Sequence, residues 1–447
     1  MNHRGWKYIV TLLLVSWLLS SCATAPPADP PPAAPTSDER LSDVPPPEPD
    51  SSSTPPLVSG EPDPTPSPDP EPDLEALSAE VPPDGSVQSA VAELSEAEAD
   101  AIVEHYLQKL SRRQRIGQRF VTFVPGTRVS DGAHRLIHDV APAGFILYPR
   151  NYERADQVLL LTRTLQLHSA IATPGISLFI SADQEGGRVQ AFEFPEVASM
   201  PSASVLGAIG DLELIRASSY VTHRQLRELG INMNLAPVLD LYETADESII
   251  GDRSFGPDPI AVASFVEPIL EASRAAGVIS VAKHFPGHGI TAIDSHRRLP
   301  VVAASKEELA KSHLIPFRSA VEAGVPALMT AHLLFRDIDP FFPVTLSEVF
   351  LHEILRHELG FDGVVITDGL EMWAIRNHFD IETTIVRLFQ YDVDLILLYS
   401  EYDVIELVDL VEKLIRSRRI SEDDVDRGVR RVLRLKLDYG LLAPATW

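Results

Sequence analysis

Apolar positions fall into a regular pattern only after Val91. Glu93–Leu110 spaces them helically on an acidic background and predicts an amphipathic helix. Beyond it, eight short apolar runs alternate with helical stretches: Phe120–Val124, Gly144–Tyr148, Ser177–Ala182, Asn232–Ala236, Ser280–Lys283, Ala327–Thr330, Gly363–Thr367 and Asp394–Leu398. Strands covered on both faces by helices read as such uninterrupted apolar runs. Eight units over roughly 280 residues predict an α/β fold, a (β/α)8 barrel of the TIM type. A doubly wound open sheet is the rival. It calls for a Gly-rich phosphate turn after the first strand, and Val124-Pro125-Gly126-Thr127 supplies none. The helical pattern Glu422–Leu437 and Tyr439-Gly440-Leu441 close the chain, so a single catalytic barrel over residues 91–447 is expected.

Ahead of residue 91 the pattern is of another kind. Met1–Lys7 carries His3, Arg4 and Lys7, an apolar run from Tyr8 to Leu19 follows, and Leu19-Ser20-Ser21-Cys22 ends it. A basic start, a short apolar stretch and small residues before a cut describe a secretory signal over residues 1–21. The run is short for a bilayer span, which takes about 20 apolar residues. Leu-Ser-Ser-Cys resembles the bacterial lipobox, in which the cysteine becomes the lipidated first residue of the mature protein. Cys22 is the single cysteine, so an internal disulfide is excluded and a lipid anchor at Cys22 is expected. The alternative is an ordinary signal peptide with an incidental cysteine. Residues 22–90 consist mainly of Pro, Ala, Ser, Asp and Glu, with about twenty prolines between Ala23 and Pro83. Such a segment has too little apolar surface to offset its ordering entropy, and a disordered tether is expected. At about 3.1 Å per residue it would reach on the order of 150–190 Å.

Composition narrows the function classes. Hydrophobic residues make up 45% of the 447 residues, enough for one large core. The net charge of -26 argues against a nucleic-acid partner, because phosphate neutralisation needs clustered Lys and Arg. Residues 23–100 hold 18 Asp and Glu against Arg40 alone, so 17 of the 26 net negative charges belong there and the barrel is only mildly acidic.

The C-terminal ends of barrel strands share one rim, where active sites are built. Asp183 and Glu185 follow the third run and Asp240 the fourth; Lys283-His284 end the fifth, His332 follows the sixth and Asp368 ends the seventh. At Asp368 a β-branched strand delivers one carboxylate, followed by Gly369, which would let a substrate approach closely. A nucleophile on a rigid strand end and a helix-capping Asp are both open readings of it. Lys283-His284-Phe285-Pro286-Gly287-His288-Gly289 makes a tightly shaped loop that runs on to Asp294-Ser295-His296. His284, His288, Asp294 and His296 could in principle ligate a metal, but Lys283 would repel a cation and no His-Glu-x-x-His spacing occurs; neither metal nor cofactor is expected. Asp294 and His296 can instead form a dyad in which the carboxylate orients an imidazole that donates and accepts a proton near neutrality. A Ser-His-Asp hydrolase is disfavoured by the lack of a Gly-x-Ser-x-Gly elbow. His332 and His378 read as structural or rim residues, Glu185 as a support, and Trp373 equally as a sugar platform or as packing.

These stretches resemble glycoside hydrolase family 3, in its β-N-acetylglucosaminidase branch, across residues 112–440. The resemblance rests on Ser181–Gln190, Asn234–Asp240, Gly251-Asp252-Arg253-Ser254-Phe255, Lys283–Gly289, Asp294-Ser295-His296 and Thr367-Asp368. It implies Asp368 as nucleophile, His296 as acid/base with Asp294 as its partner, and Asp183, Arg253, Lys283 and His284 as groups holding the sugar hydroxyls. It also implies a retaining mechanism through a covalent glycosyl-enzyme. A neutral base would not repel an anionic nucleophile, which leaves phosphorolysis as a minor alternative. One departure bears on substrate: several relatives carry an Arg where this chain has Ala191-Phe192-Glu193. A second, Gln390-Tyr391 before the last strand, reads as repacking.

The expected protein is an exported, monomeric exo-β-N-acetylglucosaminidase, lipid-anchored to the bacterial cell envelope on its periplasmic or surface face. Its expected substrates are amino-sugar oligosaccharides, either peptidoglycan fragments or chitin-type chains. The alternatives are a family 3 β-glucosidase or β-xylosidase, and a catalytically idle wall-binding lipoprotein.

Overall fold

Each of the eight predicted runs contains a strand. They are β1 (Phe120–Phe123), β2 (Gly144–Ile146), β3 (Phe179–Ala182), β4 (Met233–Asn234), β5 (Ile279–Phe285), β6 (Ala327–Thr330), β7 (Val364–Thr367) and β8 (Ile396–Leu397). They pair in parallel in the order β7-β6-β5-β4-β3-β2-β1-β8, and a further parallel bridge between Ile366 and Leu395 joins the two ends into a barrel. The computed structural model describes residues 94–242, 249–399 and 402–442. The expected signal over 1–21, the anchor at Cys22 and the linker over 22–90 lie outside the described residues.

Helices alternate with the strands. α1 (Glu96–Lys109) precedes the barrel, followed by α2 (Asp131–Val140), α3 (Ala155–Ala172), α4 (Leu212–Glu228), α5 (Pro259–Ala275) and α6 (Leu314–Glu322). A π-type helix spans Val349–Glu358, and α7 (Ile381–Gln390), α8 (Val404–Arg416) and α9 (Glu422–Asp438) complete the ring. Ser or Asp starts most of these helices: the side chains of Ser130, Asp211, Asp258, Asp380, Asp403 and Ser421 each accept from a first-turn N–H. The predicted acidic helix is α1, which packs on α9 through buried Ile102, Val103, Tyr106 and Leu107. The Arg434–Glu96 pair at 2.8 Å is exposed, so it adds little beside that apolar burial.

Alternation along the strands separates two cores. Val121, Ile146, Phe179, Met233, Ile279, Val281, Val364, Ile366, Leu395 and Leu397 fill the barrel interior, whereas Phe120, Ala282, Val365 and Ile396 face the helices. A period of two then has a direct consequence at the upper rim. Tyr148, Lys283, Asp368 and Tyr399 lie two residues beyond the interior Ile146, Val281, Ile366 and Leu397, and Asp183 lies four beyond Phe179. The interior therefore changes from apolar to polar within a few residues at the strand C-termini.

The opposite end is sealed by buried polar groups. Arg119 donates to the carbonyls of Asp394 and Val393, Asp394 accepts from Arg356 at 2.8 Å, and fully buried Lys436 donates to Gln118 Oε1 at 2.9 Å. A cleft of about 680 Å³ opens at this end, lined by Arg274, Arg434, Asp438 and Tyr439 among others. It lies beside the first residue of β7, Val364, away from the strand ends that carry the chemistry.

Candidate active site

Four connected groups of side chains occupy the C-terminal rim. The first lies between β3 and β5. Lys283 Nζ donates to Asp183 Oδ1 at 2.6 Å and lies 2.7 Å from Glu185 Oε1, while Arg253 grips Glu185 with two bonds of 2.7 and 2.8 Å. Burial alone would push Glu185 up, but Lys283 and Arg253 hold it at about 2. Burial would likewise lower Lys283, and Asp183 with Glu185 raise it instead. Glu185 and Lys283 are therefore both charged. Glu185 is saturated by its two cations, so of the two carboxylates the part-exposed Asp183 is the one left to meet a ligand.

The second group is organised by Asp240, fully buried after β4. Its Oδ1 accepts from the backbone N–H of His284 at 3.2 Å and of His288 at 2.6 Å, and its Oδ2 lies 2.7 Å from His284 Nδ1. Burial opposes ionisation here too, and His284, His288 and the amides outweigh it, holding the carboxyl below the usual range. Strand β5 runs through His284 to Phe285, two residues beyond the sequence expectation, and its register against β6 shifts between Ala282 and Phe285. Such an irregularity re-aims neighbouring side chains: Lys283 turns to Asp183 and His284 to Asp240. The peptides Ala236–Pro237, Lys283–His284 and Phe285–Pro286 are cis.

Asp368 forms the third group at the tip of β7. Its Oδ1 accepts from the Gly369 N–H at 2.7 Å and from the Tyr399 hydroxyl at 3.0 Å. Burial pushes this carboxyl up, yet His284, His332, the Gly369 amide and His296 together hold it well below the usual carboxylate range. It is an anion in a shielded pocket, as a nucleophile requires. Gly369 is needed for a reason other than substrate approach: a Cβ there would stand 1.7 Å from the Tyr399 ring. His332 is fully buried beneath this turn with its nitrogens on Thr345 Oγ1 at 2.7 Å and Gly369 O at 3.0 Å, a structural placement.

The fourth group is the loop after β5. His296 Nδ1 lies 3.0 Å from Asp294 Oδ1, which also accepts the His296 N–H at 2.9 Å. Both stand at the rim, with the His296 side chain 65% exposed. Ser295 points the other way and is buried. Its Oγ lies 2.9 Å from His288 Nε2, and its carbonyl accepts from Ala374 N–H just beyond Asp368. Burial and neighbouring His284 push His288 down to about 4, so it is neutral and serves as a fixed post for the loop.

Asp183, Arg253, Lys283, His284, Asp294, His296 and Asp368 all stand on one rim. Tyr399, Tyr148, Asp240 and Ser295 had no assigned role in the sequence reading. Tyr399 and Tyr148 stack edge to face at 5.7 Å, and the Tyr148 hydroxyl is buried without a hydrogen-bond partner. Their signal was present: each tyrosine lies two residues beyond an interior strand position. Ala191 and Phe192, in the segment that departs from the family pattern, are buried in an apolar cluster with Phe194. Gln390 and Tyr391 pack at the periphery against Arg419 and Arg387. Trp373 is half-buried and packs edge to face on His378 at 4.9 Å.

Residues 107–435 match the N-terminal domain of glycosyl hydrolase family 3. The chain belongs to that family. It is 40% identical over 255 residues to a β-hexosaminidase of Thiobacillus denitrificans, covering 56% of this chain and 69% of the relative. A β-hexosaminidase of Nitrosomonas eutropha is 33% identical over 286 residues, which is 63% of this chain and 80% of the relative. Among solved structures, the family 3 β-N-acetylglucosaminidase of Paenibacillus sp. str. FPU-7 superposes with a TM-score of 0.72 at 39% identity. That match covers 76% of this chain and 64% of the other. This family 3 glycoside hydrolase thus falls in the β-N-acetylglucosaminidase, or β-hexosaminidase, branch.

Proposed function

We propose that this family 3 enzyme is a retaining exo-β-N-acetylglucosaminidase, releasing terminal β-linked N-acetylglucosamine from peptidoglycan fragments or chitin-type oligosaccharides. The observation that carries the reading is the anchoring of Ser295, whose two bonds tie the Asp294–His296 loop to His288 and to the segment following Asp368. In the first step an Asp368 oxygen bonds to the anomeric carbon as the glycosidic C–O bond breaks, and the proton on His296 Nε2 passes to the departing oxygen. In the second, water attacks that carbon, gives its proton back to His296, and releases Asp368. Asp294 accepts the Nδ1–H and stabilises the imidazolium, so Nε2 is the nitrogen that gives up the proton and later regains it. Asp183, Lys283, Arg253 and His284 hold the sugar hydroxyls.

The test is the stereochemistry and identity of the product. NMR of the nascent sugar should show retained β configuration, and an aryl N-acetylglucosaminide should be cleaved far faster than the aryl glucoside. Inverted sugar would refute the mechanism, and preference for the glucoside would favour a β-glucosidase. Asp368→Ala should lose turnover by orders of magnitude; a binding protein would show no turnover to lose. The basic-apolar-Cys22 start further supports export and lipid anchoring to the envelope, with residues 22–90 as a spacer reaching the wall. Deleting residues 26–83 should then impair action on wall in cells while sparing small soluble substrates; equal activity on both would exclude the spacer role.

A further inference from the structure

Away from the rim, the first two helices of the outer layer bring three histidines together. His134 and His138 are four residues apart on α2 and so share one face of it. His168, near the end of α3, meets them from the neighbouring helix. One ring nitrogen from each lies within 4.8 Å of the others, the only such group of His, Cys, Asp or Glu among the described residues. Ring centroids are 4.3 Å apart for His134 and His138, and 4.9 Å for His134 and His168, the latter pair nearly perpendicular. His138 Nε2 and His168 Nδ1 are both shielded from solvent and make no hydrogen bond among the described residues.

Imidazoles arranged for packing alone would leave those two buried nitrogens without partners, which is unfavourable. A cation gives both a partner. We propose that His134, His138 and His168 form a binding site for a divalent late transition ion of the zinc class, clipping α2 to α3 and leaving a fourth position for water. Three nitrogen donors select Zn2+, Cu2+, Ni2+ or Co2+ and reject Mg2+ and Ca2+, which take oxygen ligands. At a Zn–N length of about 2.0–2.1 Å, tetrahedral ligand atoms sit ~3.4 Å apart, so small ring rotations suffice to close the set. None of the three belongs to the rim chemistry, and the site stands independently of the proposed glycosidase reading.

Tag-free full-length protein, stripped with chelator, is titrated with Zn2+ by calorimetry alongside His138→Ala. Wild type should bind one more equivalent than the variant, because any ion held elsewhere is common to both. Zinc should raise the wild-type Tm more than that of the variant, and Co2+ should give the visible bands of a four-coordinate ion only in wild type. Mg2+ should do neither. Equal stoichiometry and equal Tm shifts in the two proteins would overturn the site. Should His138→Ala fail to fold, His134→Gln, at the exposed ring, serves the same comparison with the same two outcomes.

Discussion

Replacing Asp240 with Asn tests whether one buried carboxylate organises the catalytic loop. It receives three donors: the His284 and His288 amides on Oδ1 and the His284 ring on Oδ2. Asn has the same shape but a single acceptor oxygen. Whichever way the amide turns, its NH2 faces a group that was donating, and at least one buried donor is orphaned. Charge-assisted bonds contribute about 1.5–3 kcal/mol each and an orphaned donor costs about 1–3, so a net loss of roughly 2–4 kcal/mol is expected. That is a large part of the 5–15 kcal/mol typical of a folded domain and corresponds to a Tm drop of roughly 4–8 °C. The kinetic effect should be larger still, because His284 is a proposed sugar contact and His288 holds Ser295. A displacement near 1 Å at such groups costs about 10²-fold. Steady-state hydrolysis of an aryl N-acetylglucosaminide should show kcat/KM reduced about 10²–10³-fold, alongside the lower Tm in a melt of the same sample. A variant within threefold of wild-type kcat/KM and within one degree in Tm would refute the assignment.

Two other expectations follow from the same geometry. Tyr399→Phe removes the hydroxyl donor to Asp368 Oδ1 and should lower kcat/KM about 10–100-fold, the kinetic equivalent of roughly 1.5–3 kcal/mol; an unchanged rate would mean that this bond plays no part in stabilising the nucleophile. Lys436, pushed down to about 7 by burial, binds its proton less well folded than unfolded. Between about pH 7 and its ordinary value of 10.5 the unfolded chain holds more protons, so its contribution to stability rises with pH by at most about 1.4 kcal/mol per unit. Lys436→Met should lack that rise, and parallel stability–pH curves for the two proteins would count against a neutral buried amine.

Much of this molecule is written locally. Eight apolar runs at strand length, helical spacing between them and a capping Ser or Asp before many helices specify the barrel, because periodicity and capping depend on neighbours in sequence. Asp183, Lys283 and Asp368 were legible for the same reason: a polar residue directly after an apolar strand must reach the rim. Beyond the Asp294–His296 dyad, whose members are two residues apart, partnership was not legible. That Glu185 is saturated by Lys283 and Arg253, that Asp240 gathers three donors, and that Gly369 makes room for the Tyr399 ring depend on side chains brought together by barrel closure. The His134–His138 spacing stands in the chain, but His168 joins it only when α2 packs on α3. Local pattern determines which face a residue occupies, and only the closed tertiary structure decides what it meets there, since the bonds from Lys283 to Asp183, Arg253 to Glu185, His284 to Asp240 and Tyr399 to Asp368 join groups far apart in sequence.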